Sequence, residues 1–304
     1  MTREHPSHRR PDRPIRSAEL VALIRAMSRK QRATWRHSPD SMAELFVRWR
    51  DRPCLWLSRP LWLLSEAIVP GSCYYHVARS RHFDALLVKA VDEGIEQLVI
   101  LGAGYDSRPY RFRHRLGGVT IFELDLPGTQ ERKKRRLRAA LTDLPDHVTY
   151  VAVDFNHTTL DGALSAVGYR NTAKTFFMWE GVMPYLPEPA IVSVFDFVAN
   201  QSGVGSSIAF DYLLRSFLDD PSMIRNGRLA LRQNNRVGEP LITGYEPADL
   251  ERLVLARGLT LASDLGSREL GARYCVDPKG RVFEPLACFR MAHAVQSSST
   301  KNTP

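Results

Sequence analysis

Five short apolar runs, each meeting an acidic residue at or just past its end and each separated from the next by a helix-compatible segment, constrain this chain more than any other feature. They read "QLVILGAG", "VTIFELDLP", "HVTYVAVDF", "KTFFMWEGV" and "SSIAFDYL", between residues 97 and 213. Runs this continuously apolar suit strands covered on both faces, as parallel strands are, and their alternation with helices predicts an α/β fold with a doubly wound, mostly parallel sheet. Ligands of such sheets bind outside the carboxyl ends of the strands. The polar residues collect at those ends: Asp106 follows the first run, Asp125 closes the second, Asp154 the third and Glu180 the fourth, and Asp211 lies late in the fifth.

The flanking sequence fills out the domain plan. Residues 1–16, basic and rich in proline, are expected to be a disordered leader, and residues 294–304 a disordered tail. Residues 17–83 are expected to form an N-terminal helical cap, with Leu20, Leu23, Ile24 and Met27 at three- and four-residue spacing. The main domain is expected over 84–293, opening with the amphipathic "FDALLVKAVDEG". Its strand–helix rhythm is broken at 213–245, which reads as a lid over the ligand edge. A helix ended by Gly258 and a final strand within "VFEPLACFRMAHAV" complete it.

Several function classes are disfavoured. The longest greasy stretch, "LWLSRPLWLLSEAIVPG" at 55–71, is interrupted by Arg59, Pro60 and Glu66, so it lacks the roughly 20 apolar residues of a membrane span. No secretory signal pattern is present, and no membrane partner is expected. Cys54, Cys73, Cys275 and Cys288 are scattered, and His76, His82, His114, His147 and His157 lack metal-ligand spacing, so no metal is expected; a reducing cytoplasm fits. The net charge of +9 raises the question of nucleic acid, but the densest run, "RKKRRLR" at 132–138, has the composition of a crossover helix with a solvated face. A nucleic-acid partner is therefore disfavoured, and an anionic small molecule explains part of the bias.

The strand ends suggest a nucleoside without a diphosphate. Gly102 and Gly104 permit a sharp turn and close backbone approach, but "GAGYD" lacks the third glycine of a dinucleotide motif. Asp125, 21 positions past Gly104, stands where a carboxylate accepts from ribose hydroxyls, with Glu123 a structural alternate. Asp154 suits an adenine amino group. Ribose, adenine and no diphosphate together suggest S-adenosylmethionine.

The strings "HVARSRHFD", "LGAGYDSRPYRF", "FELDLP", "VAVDF" and "WEGVMPYL", in that order, resemble the leucine carboxyl methyltransferase family and its bacterial relatives of secondary metabolism. The resemblance covers roughly residues 17–292 and implies a Rossmann-like class I methyltransferase that uses S-adenosylmethionine. It implies that Arg79 pairs with the methionine carboxylate, Gly102 presses its backbone on the ligand beside Gly104, Asp125 holds the ribose, Asp154 with the Phe155 amide reads the adenine, and Glu180 lies near the methionine ammonium. Tyr185 would stand near the methyl acceptor, where a core aromatic would look no different. Arg108 is a candidate catalytic residue, yet Asp106 and Arg108 are close enough to fix the turn locally.

The expected reaction is O-methylation of a carboxylate or acidic hydroxyl on a small natural product, steered by Arg108, Arg111 or an arginine of the lid. No side chain announces itself as a general base. Carbon methylation of an enolisable keto acid, methylation of a protein C-terminus, and nucleic-acid binding are the alternatives. The oligomeric state is not legible.

Overall fold

A computed structural model describes residues 16–141, 144–155, 157–236 and 238–297. The expected leader (1–15) and the end of the expected tail (298–304) lie outside the described residues. In chain order the elements are α1 (Arg16–Arg29), α2 (Pro53–Trp56), α3 (Ser58–Ile68), α4 (Ser72–Asp92), β1 (Gln97–Leu101), α5 (Arg108–Arg111), β2 (Thr120–Asp125), α6 (Pro127–Leu141) and β3 (Val148–Ala152). Then come α7 (Leu160–Ser165), β4 (Thr175–Trp179), α8 (Glu188–Asn200), β5 (Ser207–Leu213), α9 (Arg215–Asp219), α10 (Gly227–Arg236), α11 (Pro247–Leu255), β6 (Leu259–Leu265), α12 (Ser267–Tyr274) and β7 (Phe289–Gln296).

The strands form one sheet in the order β3-β2-β1-β4-β5-β7-β6. The first five are parallel, and β7 runs antiparallel to both of its neighbours. Successive side chains alternate between the two faces of the sheet. Val99, Leu101, Phe122, Phe177, Trp179 and Phe210 therefore join one core with α8, while Leu98, Ile100, Ile121, Phe176 and Met178 join the other with Phe83 and Leu87 of α4. Both faces being covered explains why the central strands read as unbroken apolar runs. The order reverses between β1 and β4, which opens a crevice at their carboxyl ends.

Several boundaries differ from the sequence expectation. The 83/84 division falls inside α4, one continuous helix of 21 residues that carries cap and sheet contacts together. Arg16 is the first residue of α1 rather than the end of a leader. Between α1 and α2 the chain is built of short 3-10 turns at Thr34–Arg36, Ala43–Phe46 and Trp49–Asp51. Ala294, Val295 and Gln296, expected in the tail, belong to β7, because β5 and β6 supply backbone partners on both sides. Leu213, expected to open the insertion, is the buried last residue of β5. β6 was not anticipated: it is an edge strand whose exposed positions interrupt the apolar signal.

The 132–138 run is less solvated than its composition suggests. Lys133 is buried and its Nζ lies 2.7 Å from Glu123 Oε2, while Arg132 Nη1 reaches Glu19 Oε1 at 2.5 Å. Glu123, the structural alternate to Asp125, thus faces away from the ligand edge and anchors α6 to the sheet. Among the described residues no helix is long and apolar enough to cross a membrane, and no cluster of three or more potential metal ligands occurs.

Candidate active site

The carboxyl ends of β1, β2, β4 and β5 surround a cavity of about 290 Å³ lined on its outer side by α1 and the segment after β5. A capping interaction joins those two. Glu239 accepts from the Arg16 and Ser17 amides at 2.8 and 3.1 Å, which satisfies otherwise unpaired donors at the start of α1. The insertion is held in turn by the Ile242 and Thr243 amides on the Pro184 carbonyl, at 2.8 and 3.2 Å. Asn234 and Glu239 are its contributions to the cavity wall.

At the end of β1, Gly102 has φ +69°, and a Cβ there would stand 2.4 Å from Val182 Cγ2. Only glycine combines that backbone angle with that contact. The Gly104 amide donates to Asp125 Oδ2 at 2.5 Å, and the Leu126 amide donates to Oδ1 at 2.6 Å, so the end of β2 is tied across to the turn after β1. Burial nevertheless raises the Asp125 pKa above its ordinary value, against the pull of those two amides. Asp154 and Phe155, just past β3, stand in the same wall. The Asp154 carbonyl accepts from the His157 and Thr158 amides at 2.9 and 2.8 Å, which turns the chain there.

Opposite lies a buried ionic cluster. Arg79 Nε is 3.0 Å from Glu180 Oε1, and its Nη1 is 3.1 Å from Asp211 Oδ2 and 3.3 Å from the Tyr75 hydroxyl. Tyr75 and Arg79 are one helical turn apart on α4, and the Tyr75 hydroxyl donates to Asp211. Asp211 Oδ1 accepts from the Gly181 amide at 2.5 Å, and Gly181 itself has φ +71°. Burial opposes the Arg79 charge, but Tyr75, Asp211 and Glu180 outweigh it and raise its pKa. Burial likewise opposes ionisation of Glu180, and Arg108 and Arg79 together hold its carboxyl below its ordinary value.

Arg108 and Arg111 are not where the sequence reading puts them. Arg108 is 1% exposed and lies beneath the cavity, outside its lining. Its Nε is 2.6 Å from Asp84, and its Nη1 is 2.6 Å from Asp106 and 2.8 Å from Glu180. Asp106 also accepts from the Arg108 backbone amide at 2.7 Å, which ties the turn locally, while Asp106 itself lines the cavity. Arg111 is spent on Asp84 at 3.0 Å and on Ser107 Oγ at 2.8 Å. Both arginines serve buried carboxylates, so neither presents a cation to an acceptor. Among the insertion's arginines, none lines the cavity. Tyr185 does line it, half-buried beside Pro184.

Sequence reasoning missed Tyr75, His76, Arg25 and Tyr105 in the wall, and left Asp211 without a role. Arg25 of α1 donates to the Tyr105 carbonyl at 3.0 Å and pairs with Asp40 at 3.4 Å. His76 is held neutral, its pKa far below the ordinary value through burial and then the nearby charges of Arg79 and Arg25. The signals available in the sequence were the spacing of Tyr75 and His76 from Arg79 on one helix and the place of Tyr105 inside "LGAGYDSRPYRF".

Comparison with known proteins decides the class. The family model described as leucine carboxyl methyltransferase matches residues 18–199. The chain belongs to that family. Within the leucine carboxyl methyltransferase family, a protein of Mycolicibacterium smegmatis is 36% identical over 221 residues, covering 69% of this chain and 70% of its own. A Bacillus subtilis protein, YktD, is 27% identical over 221 residues, covering 73% and 71%. Both are provisionally named S-adenosyl-L-methionine-dependent methyltransferases. Among solved structures, a DUF574 family protein from Streptomyces avermitilis shares the fold with a TM-score of 0.61 at 15% identity, over 94% of this chain and all of its own. The chain is an S-adenosylmethionine-dependent methyltransferase with a Rossmann-like fold.

Proposed function

We propose that the enzyme methylates an oxygen of a small molecule, and that its acceptor is an acidic hydroxyl, phenolic or enolic, rather than a preformed carboxylate. The observation that carries this reading is the charge of the wall. Among the described lining residues, two arginines (Arg25 and Arg79) face six carboxyl groups (Asp106, Asp125, Asp154, Glu180, Asp211 and Glu239), and both arginines already have acidic partners. Arg108 beneath the wall offsets Asp106 and Glu180, yet the described lining still offers an acceptor no cation beyond Arg25, paired with Asp40, and the Arg79 that the cofactor would occupy, and this disfavours a carboxylate approaching from water. A hydroxyl that enters uncharged escapes that penalty. The same acidity suits a cofactor carrying a sulfonium and an ammonium.

The residues fit S-adenosylmethionine. Arg79 would meet the methionine carboxylate, with Glu180 and Asp211 on the ammonium side. Asp125 would receive the ribose hydroxyls, and Asp154 and Phe155 would flank the adenine beside the close backbone approach at Gly102. When bound, the cofactor supplies an electrophilic methyl group on a sulfonium. The protein's own task is to align the acceptor oxygen behind that methyl group, and alignment is worth several orders of magnitude in rate. Tyr185 and His76 stand in the wall where an acceptor hydroxyl can be oriented. The insertion after β5, clamped through Glu239 to α1, would act as a lid that excludes water.

Calorimetric titration with S-adenosylmethionine and S-adenosylhomocysteine, on wild type and Asp125→Ala, tests the cofactor assignment. Loss of binding in the variant is expected. Incubation with matched panels of phenols, enols and carboxylic acids then tests the acceptor by mass gain of one methyl. Methyl esters as the predominant products would overturn the hydroxyl reading, and carbon methylation of the enols would replace it.

A further inference from the structure

The solvent face of α3 is inverted. This helix buries Ser58 and Trp62 and turns Leu63, Leu64 and Ile68 outward, at 52%, 54% and 40% exposure. The segment before it continues the pattern: Trp49 is 76% exposed, Trp56 92% and Leu57 56%. Scattered exposed apolar residues are ordinary, but six large ones within 20 residues of chain exceed that, and Leu57, Leu64 and Ile68 recur at the spacing of one helical face, as at an interaction site.

The exposed charges left without a partner around it are of one sign. Arg50, Arg52 and Arg59 are exposed and make no ion pair among the described residues, and the Arg50 guanidinium lies over the Trp49 ring at 5.2 Å. The acids of the segment are already used. Asp51 is paired with Arg48 at 2.6 Å, and Glu66 accepts from the Gly71 and Cys73 amides at 2.8 and 2.7 Å. The patch therefore combines tryptophan, leucine and uncompensated arginine.

We propose that the face formed by α2, α3 and the turn before them docks on an anionic lipid surface. Three arguments select this occupant. Tryptophan and leucine on one face with arginine at the rim is the composition of helices that lie in the headgroup region of a bilayer. A twofold interface between two copies would bring two sets of these arginines into one buried patch that holds no free acid among the described residues. A single-stranded nucleic acid would use the tryptophans and arginines but leave Leu57, Leu63, Leu64 and Ile68 without a partner. Such docking lies on the membrane and needs no spanning helix. It also has a route to the site, because α3 packs on α1, whose Leu20 is both 57% exposed and part of the cavity wall.

Flotation of the full chain with vesicles of phosphatidylcholine alone, or mixed with phosphatidylglycerol, tests the proposal. Binding is expected only to the mixed vesicles. Neutralising Arg50 and Arg59 together (Arg50→Gln, Arg59→Gln) should weaken it about thirtyfold at low salt. Trp56→Ser with Leu64→Ser should weaken it at least about tenfold. S-adenosylhomocysteine binding, unchanged in all variants, shows that they fold and separates this result from the methyltransferase site. Equal binding by wild type and variants, or no vesicle binding, overturns the proposal. So does a sedimentation equilibrium that finds dimers abolished by the Trp56 and Leu64 changes, or a preference for single-stranded oligonucleotides over vesicles.

Discussion

Arg108→Gln separates a structural arginine from a catalytic one. In the wild type its guanidinium serves three carboxylates, and their alternatives differ. Asp84 keeps Arg111 at 3.0 Å, and Glu180 keeps Arg79 at 3.0 Å. Asp106 loses its ion partner and retains the backbone amide of residue 108. Removing one partner from a buried pair costs about 3–5 kcal/mol, because an uncompensated charge stays behind. Urea unfolding at neutral pH should show a loss of that size. Adding Asp106→Asn should return at least about 1 kcal/mol, since the residual charge is then gone. The pH dependence has a definite sign. Asp106 and Glu180 are both held below their ordinary values, against burial, by Arg108 first among their neighbours. A depressed carboxyl contributes stability above its unfolded value, so the difference between wild type and Arg108→Gln should be complete near pH 7 and shrink as pH falls below about 4. A loss under about 1 kcal/mol, or one that is unchanged at acid pH, would refute the buried-counterion account.

Three other perturbations are as direct. Lys133→Met should destabilise by about 3 kcal/mol and Lys133→Met with Glu123→Leu by much less, as the pair is fully buried; equal losses in thermal unfolding would contradict this. His293, buried on β7 beside Phe176, has its pKa lowered to about 4, mainly by burial. The unfolded chain then takes up a proton below about pH 6.5 that the fold refuses, so at pH 5 this histidine should cost about 2 kcal/mol, and His293→Gln should show a correspondingly smaller stability loss between pH 7 and 5. Gly102→Ala should lower stability by about 1–3 kcal/mol and abolish calorimetric cofactor binding, with Val182→Ala relieving the contact but not the backbone strain.

The five parallel strands and their terminal acids were legible because their signals are local: an apolar run, a glycine turn, a carboxylate at a fixed offset. The 21-residue helix α4 hid the cap boundary, since a helical pattern does not record which of its turns touches the cap and which the sheet. β6 escaped because an edge strand is half wet. The missing third glycine in "GAGYD" was also a local signal, and it argued against a dinucleotide motif. Apart from the local Asp106–Arg108 pair, tertiary structure decided how the charges pair. Arg79 meets Asp211 across 132 positions of chain, Lys133 turns inward to Glu123, and Arg108 and Arg111 are consumed by Asp84 and Asp106. A charged residue's role depends on which opposite charge shares its low-dielectric surroundings, and no periodicity of the chain encodes that. The acidic cavity wall and the outward-facing apolar face of α3 follow from the same fact, because both are sums over segments that only folding brings together.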